Sequence, residues 1–337
     1  MKLLVLLFIG SLLTGAWLVA WPDTALRDMK SAVHNPESNN PVELGAVHWL
    51  RDLAAGTAEA ERTGKPMLIL FQEVPGCSNC TRYGSVTLSH PLIVEAIESH
   101  FVPVCIYNNK GGKDAEALKK FNEQAWNNPV VRIVGKDYSA LSPRIFDFRS
   151  SAVLVTGMLQ AMRARGLEAP AYLELLEEEL LAREATLETA TFSMYCFWSG
   201  EKTFGAIPGV IETAPGFQDG REVVRVVYNP AKVTKAELEK QTQPNGITAC
   251  TKNEGFRNDR EPKYYLAQSP WKYVPMTSLQ ACRANSLVGN GKSPEPVLSP
   301  RQRELYQTIR ANPKRKWKNA IGAADMVEAW AATEVKQ

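Results

Sequence analysis

Two cysteines spaced by two residues, directly after a short apolar run, constrain this chain of 337 residues more than any other feature. The run Pro66-Met67-Leu68-Ile69-Leu70-Phe71 carries no polar side chain. That pattern suits a strand covered on both faces, as in a parallel sheet, rather than one with a wet side. Val74-Pro75-Gly76 then breaks the strand, and Cys77-Ser78-Asn79-Cys80 opens a helix. Within one helical turn two such thiols can close a disulfide, and the first faces the helix N-terminus, where backbone N–H groups favour the thiolate. Zinc competes for such a pair but takes about four ligands. There is no second Cys-x-x-Cys, and His34, His48, His90 and His100 have no ligand spacing, so neither metal nor cofactor is expected. The pair reads as redox-active, with two unpaired structural thiols as the other reading.

The flanking elements extend this. Glu43 to Thr63 has helical apolar spacing through Trp49, Leu50 and Leu53, Phe101 to Tyr107 reads as a second strand, and Lys113 to Gln124 reads as a helix. Asn127-Asn128-Pro129 then leads into a third strand, Val130 to Val134. This order resembles thioredoxin-like folds over Glu43 to Ser150. The resemblance implies that Pro129 is cis and lies beside the cysteine pair. The Val74-Pro75-Gly76-Cys77-Ser78-Asn79-Cys80 segment is similar to a thioredoxin-like group in which selenocysteine can occupy the first thiol position; here it is sulfur.

A second reactive position lies mid-chain. Cys196-Phe197-Trp198-Ser199-Gly200-Glu201 follows a strand-like run, Thr191 to Tyr195, and opens another helix. A lone cysteine is usually a small buried hydrophobe, but a thiol at a helix N-terminus beside two aromatic rings suits a nucleophile with an apolar cage. Phe204 to Val210, Gly216-Phe217 and the strand Glu222 to Pro230 continue a pattern that ends with Asn258-Asp259 and Tyr264. From Phe192 to Leu266 the chain resembles the A-type peptide methionine sulfoxide reductases. Reducing a sulfoxide needs a thiolate to attack sulfur and an acid to protonate the leaving oxygen. The resemblance implies Cys196 as nucleophile, Glu222 as proton donor, Phe197 and Trp198 as the methyl cage, and Asp259 with Tyr264 as polar support around the oxygen. Phe217 stands where that family usually has a tyrosine. The implied substrate is oxidised methionine in proteins or peptides, with preference for the S epimer, and the implied partner is a thiol reductant or a membrane reductant donor.

The expected fold class is α/β and α+β: a thioredoxin-like domain over residues 43–182, then a methionine sulfoxide reductase A-like domain over 183–337 with a C-terminal helical extension. Between them, Ala152 to Leu181 carries two helical patterns. Leu173, Leu176, Leu180 and Leu181 form the expected apolar face of the second, with Glu174, Glu177, Glu178 and Glu179 largely outside. Helices are expected around Leu279 to Leu287 and Arg301 to Arg310. Of the six cysteines, Cys250 is the candidate resolving thiol because it follows a turn-rich loop, and Cys105 and Cys282 read as core residues. Tethering the two modules would give Cys77 and Cys80 a local concentration of about millimolar at Cys196.

Lys2 followed by a mostly apolar stretch to Leu18 reads as a signal peptide or membrane anchor over residues 1–21, with a linker over 22–42. Export to the periplasm or cell envelope is therefore expected. Net charge of +3 is too small to imply nucleic acid. The basic run Lys314-Arg315-Lys316 with Lys318 reads as a solvated helix face or a weak anionic-lipid contact. Two further readings stay open: thiol-disulfide exchange with client proteins while the second domain binds sulfoxides without reducing them, or an electron relay docked to a membrane donor.

Overall fold

The computed structural model describes residues 40–321 and 325–333. The expected signal or anchor and most of the linker lie outside them. No helix among the described residues is long and apolar enough to cross a membrane.

The first half is a three-stranded sheet with helices on both faces. In chain order come α1 (Leu53–Thr63), β1 (Met67–Gln72), α2 (Ser78–Arg82), α3 (Pro91–His100), β2 (Val102–Tyr107), α4 (Lys113–Phe121), β3 (Val130–Val134), α5 (Ser151–Ala164) and α6 (Ala171–Glu184). The strand order is β2-β1-β3, with β2 parallel and β3 antiparallel to β1. All six residues of β1 are buried, and the period-two pleat divides them. Leu68 and Leu70 pack with residues of α3, α5 and α6, while Met67, Ile69 and Phe71 pack with residues of α1 and α4. The uninterrupted apolar run is the sequence signature of that two-sided burial. The single helix expected over Glu43 to Thr63 is instead a short 3-10 turn, Val42–Leu44, and α1. The helix waits for Asp52, whose carboxylate accepts the N–H groups of Ala54 and Ala55 as an N-cap.

The second half follows as β4 (Glu188–Ser193), α7 (Phe197–Phe204), β5 (Val210–Gln218), β6 (Arg221–Tyr228), α8 (Lys235–Thr242), β7 (Thr248–Ala249), β8 (Arg257–Asn258), α9 (Tyr264–Ala267), α10 (Ser278–Gly289), α11 (Pro300–Ala311) and α12 (Met326–Ala331). Its sheet has the order β7-β4-β6-β5-β8, antiparallel throughout. Ala190 and Phe192 of β4 and Val224, Val226 and Tyr228 of β6 share one face, against Phe197 and Phe204 of α7. Gly205 closes α7 where a Cβ would stand 2.6 Å from the Cys282 carbonyl oxygen, so glycine lets α7 and α10 approach. The basic run Lys314-Arg315-Lys316 is irregular chain rather than a helix face, since α11 ends at Ala311 ahead of Pro313.

The two halves meet along α6, which packs on α5 and on α10. This overturns part of the expected helical wheel. Leu181 is 46% exposed and Glu179 only 2% exposed. The physical reason is that α6 has two covered faces. On the second, Glu179 accepts the Leu279 N–H at the start of α10 (3.0 Å) and pairs with Arg183 (2.7 Å). A carboxylate there also complements the helix dipole. The expected C-terminal extension likewise reaches back to the first half: at the start of α11 the Arg301 N–H donates to Glu95 (2.9 Å) and its guanidinium pairs with Glu98 (2.6 Å).

Two outcomes follow from this junction. Glu179→Ala removes the acceptor of a buried N–H and should lower unfolding free energy by about 1–3 kcal/mol, read from urea midpoints. His90, before α3, has a buried Nδ1 without a hydrogen-bond partner, and burial pushes its pKa down to about 4 from the usual 6.5. As pH falls, the unfolded chain therefore takes up this proton first, so stability should drop between about pH 6.5 and 4, and His90→Gln should flatten that part of the urea-midpoint profile.

Candidate active site

The first thiol centre sits where β1 ends. Val74-Pro75 is a cis peptide bond, and Gly76 follows in a space that admits no side chain: a Cβ there would stand 2.4 Å from the Glu73 carbonyl oxygen and 2.6 Å from Cys80 Cβ. The Gly76 N–H donates to Glu43 Oε1 (2.8 Å), and Gln72 Nε2 donates to the Glu43 carbonyl (2.7 Å). Glu43 is buried, so the 3-10 turn before α1 holds the cysteine loop in place. Sequence reasoning missed this role, because 33 residues separate Glu43 from its partner and nothing in the intervening pattern links them.

Cys77 caps α2 and is exposed, whereas Cys80 is buried; their sulfurs are 3.7 Å apart. The backbone N–H groups of Cys80 and Asn79, at the start of α2, hold the Cys77 pKa below the usual thiol value. Burial pushes Cys80 up to about 12. Its thiol donates to Asn128 Oδ1 (2.8 Å), and the next peptide bond, Asn128-Pro129, is cis. One thiol is thus poised to attack and the other stays protonated underneath.

The second centre is assembled by the other sheet. Cys196 is the N-cap of α7 and partly exposed. Glu222 begins the face of β6 that carries Val224, Val226 and Tyr228, so the pleat aims it at α7. The Phe197 N–H, one residue beyond Cys196, donates to Glu222 Oε2 at 2.8 Å. The ring of Phe197 lies 5.6 Å from that of Trp198 and 5.3 Å from that of Phe217. Tyr264 stacks flat on Trp198, with centroids 3.8 Å apart and planes at 11°. Cys196, Glu222, Phe197, Trp198 and Tyr264 therefore form one cluster, in which Tyr264 contributes a ring face.

A buried ion pair places Tyr264. Glu201, on the inner side of α7, is fully buried and accepts both the Lys263 N–H (2.8 Å) and its ammonium (3.1 Å), which also donates to the Thr213 carbonyl (2.6 Å). Lys263 has a positive φ of 55° and directly precedes Tyr264, so the pair ties α7 to the segment bearing the stacked ring. A lysine in an otherwise exposed run gives no sequence signal of this.

Asp259 directly follows β8. Its carboxylate accepts the Glu261 N–H (3.0 Å) and lines a hollow of about 290 Å³ shared with Thr213, Lys263 and Thr277, not with Cys196 or Glu222. The Cys250 N–H donates to the carbonyl of Thr191 in β4, and among the described residues no disulfide joins Cys250 to Cys196. Burial raises its pKa. Cys105 and Cys282 are buried and likewise raised by burial. Among the described residues no disulfide links Cys77 or Cys80 to Cys196.

A thioredoxin-like family model matches residues 48–136. The chain is also similar to peptide methionine sulfoxide reductases. That of Rhodospirillum centenum is 44% identical over 71 residues, covering 16% of this chain and 32% of the relative. That of Methanoculleus marisnigri is 39% identical over 75 residues, covering 17% and 46%, and that of Salmonella arizonae 32% identical over 116 residues, covering 29% and 54%. The chain thus spans between a third and about half of the length of these curated relatives.

In the reduced protein, iodoacetamide at neutral pH should label Cys77 well before Cys80, with the Cys77 rate rising at lower pH than for a free thiol; mass mapping reads both. Lys263→Ala strands the buried Glu201 carboxylate and should cost on the order of 3–5 kcal/mol, while the double change Glu201→Leu, Lys263→Met should recover most of it, as read by thermal unfolding.

Proposed function

We propose that this protein is an exported thiol oxidoreductase that reduces methionine sulfoxide, of the S epimer, in peptides or proteins. The observation that carries the reading is the 2.8 Å hydrogen bond from the Phe197 N–H to Glu222, which sets a carboxyl next to a partly exposed thiol at a helix start. The rings of Phe197, Trp198 and Tyr264 offer an apolar wall for the sulfoxide methyl group. Phe217 in that wall supplies surface but no hydroxyl.

In this mechanism the Cys196 sulfur attacks the sulfoxide sulfur and Glu222 delivers a proton to the sulfoxide oxygen. That oxygen passes as hydroxyl to Cys196 while the transient bond between the two sulfurs breaks, so that methionine leaves and a sulfenic acid remains on Cys196. A second thiol then condenses with the sulfenic acid, forming a disulfide and releasing water. Across the cycle two thiols are oxidised to one disulfide as one sulfoxide becomes a thioether. We assign the recycling dithiol to Cys77 and Cys80, acting on Cys196 directly or through Cys250. The exposed, low-pKa Cys77 supports the direct route, since it can condense with the Cys196 sulfenic acid, releasing water, while Cys80 waits to resolve the mixed disulfide and free the Cys196 thiol. The charged Lys2 and apolar stretch after it support export.

The test follows separated sulfoxide epimers of a methionine peptide with dithiothreitol as reductant. Wild type should turn over the S epimer, Cys196→Ser should abolish turnover, and the double change Cys77→Ser, Cys80→Ser should retain it. Glu222→Gln keeps the bond from Phe197 but lacks the proton, so kcat should fall about 10²–10⁴-fold. No turnover of either epimer by wild type would remove the proposal.

A further inference from the structure

The sequence set zinc aside because the Cys-x-x-Cys pair lacked further ligands, but folding brings one. A carboxylate oxygen of Glu73 and the sulfurs of Cys77 and Cys80 all lie within 4.8 Å of one another. We propose that Glu73, Cys77 and Cys80 of the reduced protein form a three-donor site for a thiophilic divalent cation, Zn²⁺, with a fourth position open to water.

The geometry supports this at each donor. Two thiolates on a tetrahedral zinc, at about 2.3 Å each, stand about 3.8 Å apart, and the two sulfurs here are 3.7 Å apart without any rearrangement. Glu73 is half-buried at the mouth of the loop, and rotation of its side chain closes the remaining gap to carboxylate–zinc distance, about 2.0–2.2 Å. Asn128 already contacts the Cys80 sulfur at 2.8 Å. With its carboxamide turned over it offers N–H to a thiolate, the kind of supporting contact that metal-bound thiolates use. The loop is braced by Gly76 on Glu43, so the donors are held before a metal arrives.

Binding exchanges two thiol protons for one Zn²⁺, with no change of oxidation state, and requires the dithiol form. Metal and disulfide are therefore mutually exclusive, and a capped pair cannot pass electrons onward. That last consequence rests on the recycling role proposed above; the site itself does not.

The experiment titrates reduced full-length protein carrying Cys196→Ser and Cys250→Ser, so that the Cys77–Cys80 pair is the accessible thiol set, with ZnCl₂ by calorimetry in buffers of different ionisation enthalpy. One equivalent should bind with net proton release, and diamide oxidation should abolish binding. Glu73→Gln should weaken it by more than the about 10–100-fold lost with a supporting contact alone. Zn²⁺ should also protect Cys77 from iodoacetamide in the Glu73-containing protein, a readout independent of any effect of the substitution on folding. No binding by the reduced protein, or equal affinity with Glu73→Gln and equal protection of Cys77, would overturn the proposal. Sulfoxide turnover enters neither readout, so failure of the site and failure of the reductase reading are separable.

Discussion

Both thiol centres depend on one constraint: a helix begins where a buried strand ends, and the first N–H groups of that helix have no partner inside it. At α2 those groups stand next to a sulfur, and the backbone N–H groups of Cys80 and Asn79 lower the pKa of the Cys77 thiol. At α7 the N–H of Phe197 turns to a carboxylate, and Glu222 is drawn beside Cys196. The same donors thus lower a thiol in one centre and position a carboxylate in the other. What differs is the residue that the adjoining sheet brings within reach.

Each centre has a buried carboxylate behind it. Glu43 holds the Gly76 N–H and so braces the Cys77–Cys80 loop, while Glu201 holds Lys263 and so fixes the ring of Tyr264 on Trp198. A buried charge of this kind is costly unless fully paired, and Glu201 accepts both the backbone and the side chain of one lysine. At the junction of the halves Glu179 plays a related part for the start of α10. Three carboxylates buried by tertiary contact therefore set the two centres and the seam between the halves.

Expectation and structure agree where signals are local. The apolar run Met67 to Phe71 reads as a doubly covered strand and is one, and Cys-x-x-Cys after it opens a helix that brings two thiols together. The strand expected from Glu222 is likewise β6, although its Glu-Val-Val-Arg-Val-Val-Tyr run has no alternation, and it is the pleat that sets Glu222 on the face of Val224, Val226 and Tyr228. Local pattern misled where an element had more than one covered side. The Glu-rich face of α6 reads as solvent-facing by its wheel, yet Glu179 is buried because α10 packs there. Asp259 shares a motif with Tyr264 but not a hollow with Cys196, because Glu261 captures its carboxylate within a turn.

By itself, the sequence determined which atoms can do chemistry and which strands and helices present them, since hydrophobic period and helix-start position depend on neighbours within a few residues. Tertiary structure alone decided which of those atoms meet. Glu73 joins Cys77 and Cys80, Tyr264 lies on Trp198, and the Cys250 N–H meets Thr191 in β4. The reason is that such meetings are set by strand register and helix packing across tens of residues, where no periodicity in the chain records the partner.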